Sequence, residues 1–224
     1  MKRDLVAEMN EYYEKCAPWH DKFMNYTSQA DTESLLAPIV ADVAAAIAGK
    51  DVLEIACGTG NWTQVLAARA RLVLATDISA PSIAIAKTKL YQNHQVDFLV
   101  TDAYSCEGVS RRYEAAFASD WWSHVPRELI GRFLQALHAK LLPGAVVLFL
   151  DMLRNENVKR RYVDFDDYAN EIHLRRLPGG RTFSVVKNYY SEKELREILF
   201  PYGREIRYRA YPSLRRWLVS YRVA

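Results

Sequence analysis

Short apolar runs alternate along the chain with longer segments in which apolar residues recur every three or four positions. The runs are typical of buried strands, and the spacing between them is typical of helices with one apolar face. They predict strands near 51–56, 71–76, 95–100, 113–119 and 145–150. Because a predicted helix follows each strand, the pattern indicates repeated strand–helix units.

Capping residues mark where several predicted helices begin. Asp31 or Thr32 precedes a run with a continuous apolar face, and Ser79 stands just before a proline. Pro126 precedes a predicted helix over 127–140. Polar N-caps and first-turn prolines are common at helix starts. Units of this length predict a parallel sheet with helices on both faces, and right-handed crossovers make a doubly wound fold the expected topology.

The last third of the chain has a different pattern. Residues 171–177 and 181–187 predict a hairpin around a Pro-Gly-Gly turn, and a capping box at Ser191 predicts a helix to about residue 200. Two last strands, near 204–211 and 215–223, are joined by a turn too short for a crossover. We therefore expect a mostly parallel seven-stranded sheet with an antiparallel C-terminal strand pair.

The chain has 224 residues, half of them apolar or aromatic and a quarter charged, which is typical of one well-packed α/β domain. Four regions are expected within this domain. They are an N-terminal helical lid over 1–30, a core over 31–151, an insertion with the hairpin over 152–190, and a terminal helix with the strand pair over 191–224.

The formal net charge of +3 is distributed unevenly. Residues 1–150 contain 14 Lys and Arg against 17 Asp and Glu, whereas residues 151–224 contain 16 against 10. A basic region can bind nucleic acid or acidic substrates, although it is more often a solvated surface. Charge alone leaves these partners open.

Reduced cysteines and no metal site are expected. Cys16, Cys57 and Cys106 are odd in number and far apart, without a Cys-x-x-Cys or Cys/His cluster. Residues 1–10 lack the apolar core of a signal peptide, and the longest apolar run, 145–150, is too short to cross a bilayer. We expect a cytoplasmic protein that does not bind a membrane.

A glycine-containing loop follows the first predicted strand. The sequence from Glu54 through Ala56 and Cys57 to Gly58 and Gly60 leads directly into a predicted helix. Glycines at such a turn let the backbone bend sharply and approach a ligand closely. The loop is therefore a candidate cofactor site.

The loop departs from a dinucleotide site, because Thr63 stands where the third glycine would be. It resembles instead the first motif of class I S-adenosylmethionine-dependent methyltransferases, acidic-x-Gly-x-Gly-x-Gly, of the small-molecule type. Ala56 replaces the first glycine. The resemblance extends over roughly residues 35–150 and implies a Rossmann-like fold, S-adenosylmethionine as cofactor and S-adenosylhomocysteine as product.

Two carboxylates follow at positions that the resemblance explains. Asp77 ends the second predicted strand, where the family binds the ribose diol, and Asp102 follows the third, where it binds the adenine amino group. Ile78 and Ala103 would flank the adenine ring. Each aspartate alone could be a helix cap or turn residue, but the ordered set favours the cofactor site.

The residues after the fourth strand are expected to face the transferred methyl group, since ligands of doubly wound sheets lie beyond the carboxyl ends of the strands. They include Ser119, Trp121, Trp122 and His124. Either tryptophan could pack on the acceptor, although at least one is expected in the core. His124 is a candidate base, with a capping contact to the following helix as the alternative.

Aromatic residues and a histidine crowd the N-terminal segment, among them Tyr12, Tyr13, Trp19 and His20. Small-molecule methyltransferases often fold a similar segment over the cofactor, which implies a lid. The alternative is an aromatic stripe that only docks on the domain. His20 is an alternative base.

The insertion is rich in arginine, which makes an acidic methyl acceptor plausible. Ordinary surface positions are the alternative for most of these residues. They are Arg154, Arg160, Arg161, Arg175, Arg176 and Arg181.

The expected function is transfer of a methyl group by in-line displacement to an O or N atom of a small molecule. An S or C atom is the less favoured prediction for the methyl acceptor. A first alternative is an RNA or protein methyltransferase, given the basic last third with Arg207 and Arg209 on one strand face. The Pro-Pro motif of nucleobase amine methylation is missing after the fourth strand, so nucleic acid is not the expected partner. A second alternative is a non-catalytic cofactor-binding subunit. Either a monomer or a homodimer is compatible with the sequence.

Overall fold

The computed structural model describes residues 4–24, 33–92, 95–155 and 163–224. Ten strands lie within these ranges. They are β1 (Asp51–Ile55), β2 (Leu72–Asp77), β3 (Val96–Val100), β4 (Tyr113–Ser119), β5 (Leu141–Met152), β6 (Val163–Phe165), β7 (Glu171–Arg176), β8 (Thr182–Val186), β9 (Gly203–Tyr211) and β10 (Arg216–Val223).

Seven of the strands form one sheet in the order β3-β2-β1-β4-β5-β10-β9. Strands β1 to β5 are mutually parallel, whereas β10 pairs antiparallel with both β5 and β9. The predicted doubly wound, mostly parallel sheet with an antiparallel C-terminal pair is confirmed. The strand order reverses beside β1, so the carboxyl ends of β1 and β4 border the crevice in which such folds bind ligands.

Helices pack around this sheet. They are α1 (Leu5–Cys16), α2 (His20–Met24), α3 (Ala37–Ile47), α4 (Asn61–Ala67), α5 (Ala80–Ala86), α6 (Ile130–His138) and α7 (Glu192–Leu199). Ser79 caps α5 through its side chain, and Ser191 forms the predicted capping box with Glu194. Asp31 and Thr32, the predicted start of a helix, lie outside the described residues.

Two apolar clusters cover the two faces of the sheet. Val52 packs with α3 and α4, whereas the next residue, Leu53, packs with α6 and with Trp217 of β10. Successive side chains of a strand point to opposite faces. The alternation therefore explains why β1 is buried along its whole length.

The insertion forms a second, three-stranded sheet in the order β6-β7-β8, which we call the insertion sheet. The predicted hairpin corresponds to β7 and β8, and β6 was not predicted because it is only three residues long. Helix α1 packs on this sheet, with Met9 and Tyr12 against Phe183 and Val185.

Two element boundaries differ from the sequence prediction. Strand β5 begins at Leu141, four residues before the predicted start at 145, and its pairing with β4 shifts where Gly144 adopts a φ of +74°. The helix predicted over 127–140 starts as a 3₁₀ turn, Arg127–Leu129, and continues as α6. Short 3₁₀ turns are common at helix starts.

No helix in the described part of the chain is long and apolar enough to span a membrane.

Candidate functional site

A cavity lies beyond the carboxyl ends of β1 to β4, between the large sheet, α1 and the insertion sheet. It brings together most of the predicted site residues, although they come from distant parts of the sequence. Those in its wall are Tyr12, Tyr13, His20, Glu54, Ala56, Cys57, Gly58, Asp77, Ile78, Asp102, Ala103, Ser119, Trp121 and His124.

The loop after β1 is held in a sharp turn. Ala56, Gly58 and Gly60 have φ values of +52°, +56° and +83°. Such values are unfavourable for alanine, so Ala56 is strained where the family has glycine. Gly60 lies behind the cavity wall: an added Cβ would come within 2.9 Å of the Ala86 Cβ and 2.6 Å of the Tyr91 hydroxyl. Its role is close packing of α4 on α5.

Asp77 joins the glycine loop to the end of β2. Its Oδ2 accepts a hydrogen bond from the Gly58 N–H at 2.8 Å, and its Oδ1 accepts one from the Ser79 N–H at 2.8 Å. Burial raises the pKa of Asp77, and these two hydrogen bonds oppose the rise. Each carboxylate oxygen retains further acceptor capacity, because it has more than one lone pair.

Asp102 follows β3, the strand that pairs with β2. Its Oδ1 accepts from the Tyr104 N–H at 2.9 Å. Within the described part of the chain, the buried Tyr104 hydroxyl and the Trp121 indole N–H have no hydrogen-bond partner. These groups, with Ile78 and Ala103, surround one end of the cavity.

Glu54 lies under the loop, next to Cys57. Its Oε2 accepts a hydrogen bond from Thr63 Oγ1 at 2.6 Å. Burial raises the pKa of Glu54 to about 8, and the negative charge of Asp77 adds to the rise. Burial also raises the pKa of the Cys57 thiol well above its usual value. Both groups are therefore biased towards their neutral forms.

Residues 5–24, which we call the lid segment, form one wall of the cavity. Asp21 attaches this segment to the glycine loop: it accepts from Thr59 Oγ1, from Asn61 Nδ2 at 2.7 Å and from Lys89 Nζ at 2.8 Å. We call these four residues the Asp21 cluster. Burial would raise the pKa of Asp21, but hydrogen bonds from His20, Lys89, Thr59 and Asn61 outweigh it and hold the pKa well below its usual range.

His20 faces the same loop. Its Nδ1 is 3.4 Å from Thr59 Oγ1, and its Cε1 is 3.8 Å from where a Cβ on Gly58 would lie. His20 therefore lies on the cofactor side of the cavity. Trp19, predicted beside it, is 37% exposed and does not line the cavity.

His124 is buried, and both of its ring nitrogens have partners. Nδ1 is 2.5 Å from the Val186 carbonyl oxygen, and Nε2 is 2.8 Å from the Tyr13 hydroxyl. A carbonyl oxygen only accepts, so Nδ1 carries the proton and Nε2 accepts from Tyr13. Burial lowers the pKa of His124 well below its usual value, and the charges of Lys187 and Arg175 lower it further.

A 3₁₀ turn over Trp122–His124 separates the two tryptophans. Trp121 lines the cavity, whereas Trp122 is fully buried against Phe149 and takes no part in the wall. The prediction of Trp122 as a substrate residue is corrected accordingly. The capping alternative for His124 is also wrong, since its ring nitrogens contact Val186 and Tyr13, and the Arg127 N–H at the start of the following helix donates to Asn170 Oδ1 at 2.8 Å.

Arg175 and Lys187 bring positive charge to the acceptor side of the cavity. Lys187 Nζ donates to Ser123 Oγ at 2.6 Å and lies 3.2 Å from Asp151 Oδ1, so its charge is compensated. Within the described ranges Arg175 has no carboxylate partner, and its Nη1 lies 3.5 Å from the Tyr13 hydroxyl. Arg175 is therefore a cation of the cavity whose charge no described carboxylate balances.

The other predicted arginines of the insertion serve elsewhere or are not described. Arg154 pairs with Glu171 at 2.5 Å, and Arg181 pairs with Glu11 through two hydrogen bonds of 2.6 and 2.7 Å. Arg176 is exposed. Arg160 and Arg161 lie outside the described residues.

Residues on the far side of the sheet do not reach the cavity. Arg209 pairs with Asp42, and Arg207 is exposed. His138 is half-buried on α6, where its Nε2 lies 2.7 Å from the Tyr221 hydroxyl. His94 lies outside the described residues. The described ranges contain no group of three or more His, Cys, Asp or Glu that could hold a metal ion.

The sequence analysis did not single out Asp21 and Lys187. Apart from His20 beside Asp21, the side-chain hydrogen-bond partners described for them are at least 36 positions away, so no local motif marks either residue. Asp120 adopts a φ of +55° and pairs with Arg216 of β10. The only sequence signal for Asp120 was its place directly after a buried strand.

The cavity's hydrogen-bonding groups fit an adenosine-bearing cofactor. Asp77 and Asp102 offer acceptor oxygens at adjacent strand ends, as a ribose diol and an adenine amino group require. The apolar side chain of Ile78 is 40% exposed, at the edge where a ring could pack.

Comparisons with known proteins agree with this fit. A family profile described as "Methyltransferase domain" matches residues 52–144. The chain is 31% identical over 146 residues to the tRNA/tmRNA (uracil-C(5))-methyltransferase of Campylobacter curvus, spanning 56% of this chain and 40% of that protein. It is 26% identical over 151 residues to the ubiquinone biosynthesis O-methyltransferase of Azoarcus sp., spanning 66% of this chain and 64% of that protein. The chain thus spans less than two thirds of these two relatives.

Solved structures match over nearly the whole chain. The complex of DhpI with SAH superposes with a TM-score of 0.78 at 28% identity and covers 100% of this chain and 99% of that one. The DhpI–SAM–HEP complex superposes with a TM-score of 0.74 at 26% identity and covers 98% of each chain. With the strand order and the glycine loop, these matches support a class I, Rossmann-like S-adenosylmethionine-dependent methyltransferase.

Proposed function

We propose that this protein transfers a methyl group from S-adenosylmethionine to an O or N atom of a small molecule that carries an acidic group. The observation that carries the proposal is the position of Arg175, a cation in the cavity wall without a carboxylate partner in the described ranges. Arg175 is half-buried, and a charge that is partly removed from water is stabilised by a paired anion. An anionic group of the acceptor would supply the missing partner.

The cofactor end of the cavity is assigned from its hydrogen-bonding groups. Asp77 would hold the ribose diol, Asp102 the adenine amino group, and the loop through Gly58 the methionine part. Bound there, the cofactor supplies a methyl group on a positively charged sulfur. The chain's own contribution is to align the acceptor with that methyl group and to exclude water.

The acceptor end is assigned to residues of the lid segment and the insertion sheet. Arg175 and Lys187 lie on the same side as Tyr13 and His124. A carboxylate, phosphate or similar group bound to Arg175 would orient the remainder of the acceptor towards Tyr13. Because the lid segment forms one wall, a small acceptor fits better than a folded macromolecule.

A panel of small molecules tests the proposal. Purified protein is incubated with methyl-labelled S-adenosylmethionine and with short hydroxy acids and amino acids, each beside its neutral amide. We expect label in at least one acidic compound. For that compound, Arg175→Gln should raise KM by about 30-fold or more, which corresponds to losing roughly 2 kcal/mol of charge-assisted hydrogen bonding.

Arg176→Gln is the matched control, since Arg176 is the exposed neighbour on the same strand. It should leave KM unchanged. Equal use of acids and amides by the wild type and by Arg175→Gln would contradict the proposal. Labelling of RNA in place of every small molecule would support the RNA methyltransferase alternative.

A further inference from the structure

The hydrogen bonds around His124 place Tyr13 between the imidazole and the cavity. The Nδ1–H of His124 is fixed by the Val186 carbonyl at 2.5 Å, so the lone pair of Nε2 points at the Tyr13 hydroxyl, 2.8 Å away. Only 5% of His124 is exposed. An acceptor in the cavity would therefore meet the Tyr13 oxygen, whose own hydrogen is directed at Nε2.

Neither Tyr13 nor His124 is a good general base by itself. Burial strongly raises the pKa of Tyr13, which disfavours a free tyrosinate. Burial is the main reason why the imidazolium form of His124 is disfavoured; of the charged groups that face it, Lys187 and Arg175 add to this effect and Asp120 opposes it. Asp120 is already paired with Arg216. Without an acceptor, both groups of the pair remain neutral.

We propose that Tyr13 and His124 form a proton relay for a hydroxyl acceptor, and that the acceptor's own anionic group completes the relay by neutralising Arg175. The inference rests on the proposed function. Tyr13 is the residue that touches the acceptor, and His124 acts through it. An anion beside Arg175 offsets the positive field that opposes a proton on the imidazole.

The step balances as follows. The acceptor oxygen forms a bond to the methyl carbon while the carbon–sulfur bond breaks and leaves its electron pair on sulfur. The acceptor's O–H proton passes to the Tyr13 oxygen as the Tyr13 proton passes to His124 Nε2. Tyr13 is neutral before and after, and the positive charge lost from sulfur reappears on the imidazolium, whose Nδ1–H remains on the Val186 carbonyl.

The same geometry narrows the acceptor class to short hydroxy acids. The Tyr13 hydroxyl and Arg175 Nη1 are 3.5 Å apart, so one small ligand reaches both when its hydroxyl and its anionic group are separated by few bonds. An ammonium acceptor would add positive charge beside Arg175 and Lys187. Glycolate, lactate and 3-hydroxypropanoate are therefore the probes, with glycine and β-alanine as their amino counterparts.

Nitrogen-15 NMR of histidine-labelled protein with bound S-adenosylhomocysteine tests the pair without turnover. We expect His124 to be protonated on Nδ1 only, and Tyr13→Phe to shift the Nε2 resonance towards that of a free lone pair. Inorganic phosphate should raise the titration midpoint of His124, and Arg175→Gln should remove this effect. A proton on Nε2, an Nε2 resonance insensitive to Tyr13→Phe, or a midpoint insensitive to phosphate would overturn the relay.

Kinetics with the best hydroxy acid supply the second test. Tyr13→Phe should lower kcat by about 100-fold or more at pH 7, because loss of general-base catalysis typically costs that much. His124→Ala should lower it similarly, with little change in cofactor affinity. In both variants the residual rate should rise with pH, as deprotonated acceptor replaces the missing base. Tyr168→Phe, an exposed tyrosine outside the cavity, is the control.

Different results would contradict the proton relay and the proposed function. A few-fold loss in both variants with an unchanged pH profile overturns the relay, even if hydroxy acids are methylated and require Arg175. If the amino counterparts are methylated and the hydroxy acids are not, the hydroxyl assignment is wrong. If no acid is methylated at all, the proposed function fails, while the NMR measurements still decide whether Tyr13 and His124 are paired.

Discussion

Asp21→Ala is expected to accelerate cofactor release, because the Asp21 cluster holds the lid segment against the glycine loop. The substitution removes hydrogen bonds from Thr59 and Asn61 and the contact with Lys89 Nζ at 2.8 Å. The lid segment also lines the cavity through His20 and residues on either side of it. A cofactor bound beneath it should leave only after these contacts break.

The magnitude follows from the exposure of the cluster. The Asp21 side chain is 32% exposed and that of Lys89 is 18% exposed, so each contact is partly screened by solvent. Roughly 1 kcal/mol per hydrogen bond, discounted for this screening, gives about 2 to 3 kcal/mol for the three contacts. The dissociation rate of S-adenosylhomocysteine should therefore rise by about 30- to 150-fold.

Stopped-flow displacement by excess S-adenosylmethionine measures this rate. Lys89→Gln should give a smaller increase, and Glu14→Ala, on the exposed side of α1, should give none. The pKa of Asp21 in the folded protein lies well below the usual pKa of an aspartate, which is near 4. The contacts of the ionised carboxylate are therefore fully present above pH 4, and they are lost only as the pH falls through the folded-state pKa. The ratio of the Asp21→Ala rate to the wild-type rate should thus be constant from pH 8 to about pH 4. An unchanged rate in a folded Asp21→Ala protein would refute the reasoning.

Three further outcomes are expected at the cofactor end. Asp77→Ala removes the acceptors for Gly58 and Ser79 and the proposed ribose contacts, so S-adenosylhomocysteine affinity measured by calorimetry should fall by about 2 to 4 kcal/mol. Micromolar NAD should not displace S-adenosylhomocysteine in a competition assay, since Thr63 occupies the third glycine position. Glu54→Gln should raise the melting temperature of the ligand-free protein at pH 8 but hardly at pH 5. Burial raises the pKa of Glu54 to about 8 in the folded protein, so folding favours the neutral carboxyl. The stability that this neutral form contributes is fully present below the usual pKa of a glutamate and is lost as the pH rises through 8.

Local signals account for the part of the fold that could be predicted. The Ser191 capping box and the Ser79 cap depend on residues within three positions of each other, and both form as expected. Likewise, Asp77 and Asp102 could be grouped because parallel strands bring their carboxyl ends to one edge. Short elements such as β6 carry too few residues for any periodicity to show.

The arrangement of residues at the acceptor end of the cavity could not be predicted from local sequence patterns, because its contacts join residues that are far apart in the sequence. Tyr13 and His124 are 111 positions apart, and six insertion arginines looked equivalent in the sequence. What distinguishes Arg175 is its place in the cavity wall without a carboxylate partner in the described ranges, whereas Arg154 and Arg181 each have such a partner and Arg176 is exposed outside the cavity. Such a difference depends on packing between the lid segment and the insertion sheet.

That packing has a consequence for how acceptor preference can change. Arg181 binds Glu11, and the Ser184 N–H donates to Glu8 at 2.8 Å, so the lid segment and the insertion sheet match each other in charge as well as in shape. Tyr13 belongs to the former and Arg175 to the latter, while the proposed cofactor contacts come from strand-end loops of the large sheet. A graft of either element alone from a relative would break the match, but a graft of both together would carry a new acceptor preference onto an unaltered cofactor core.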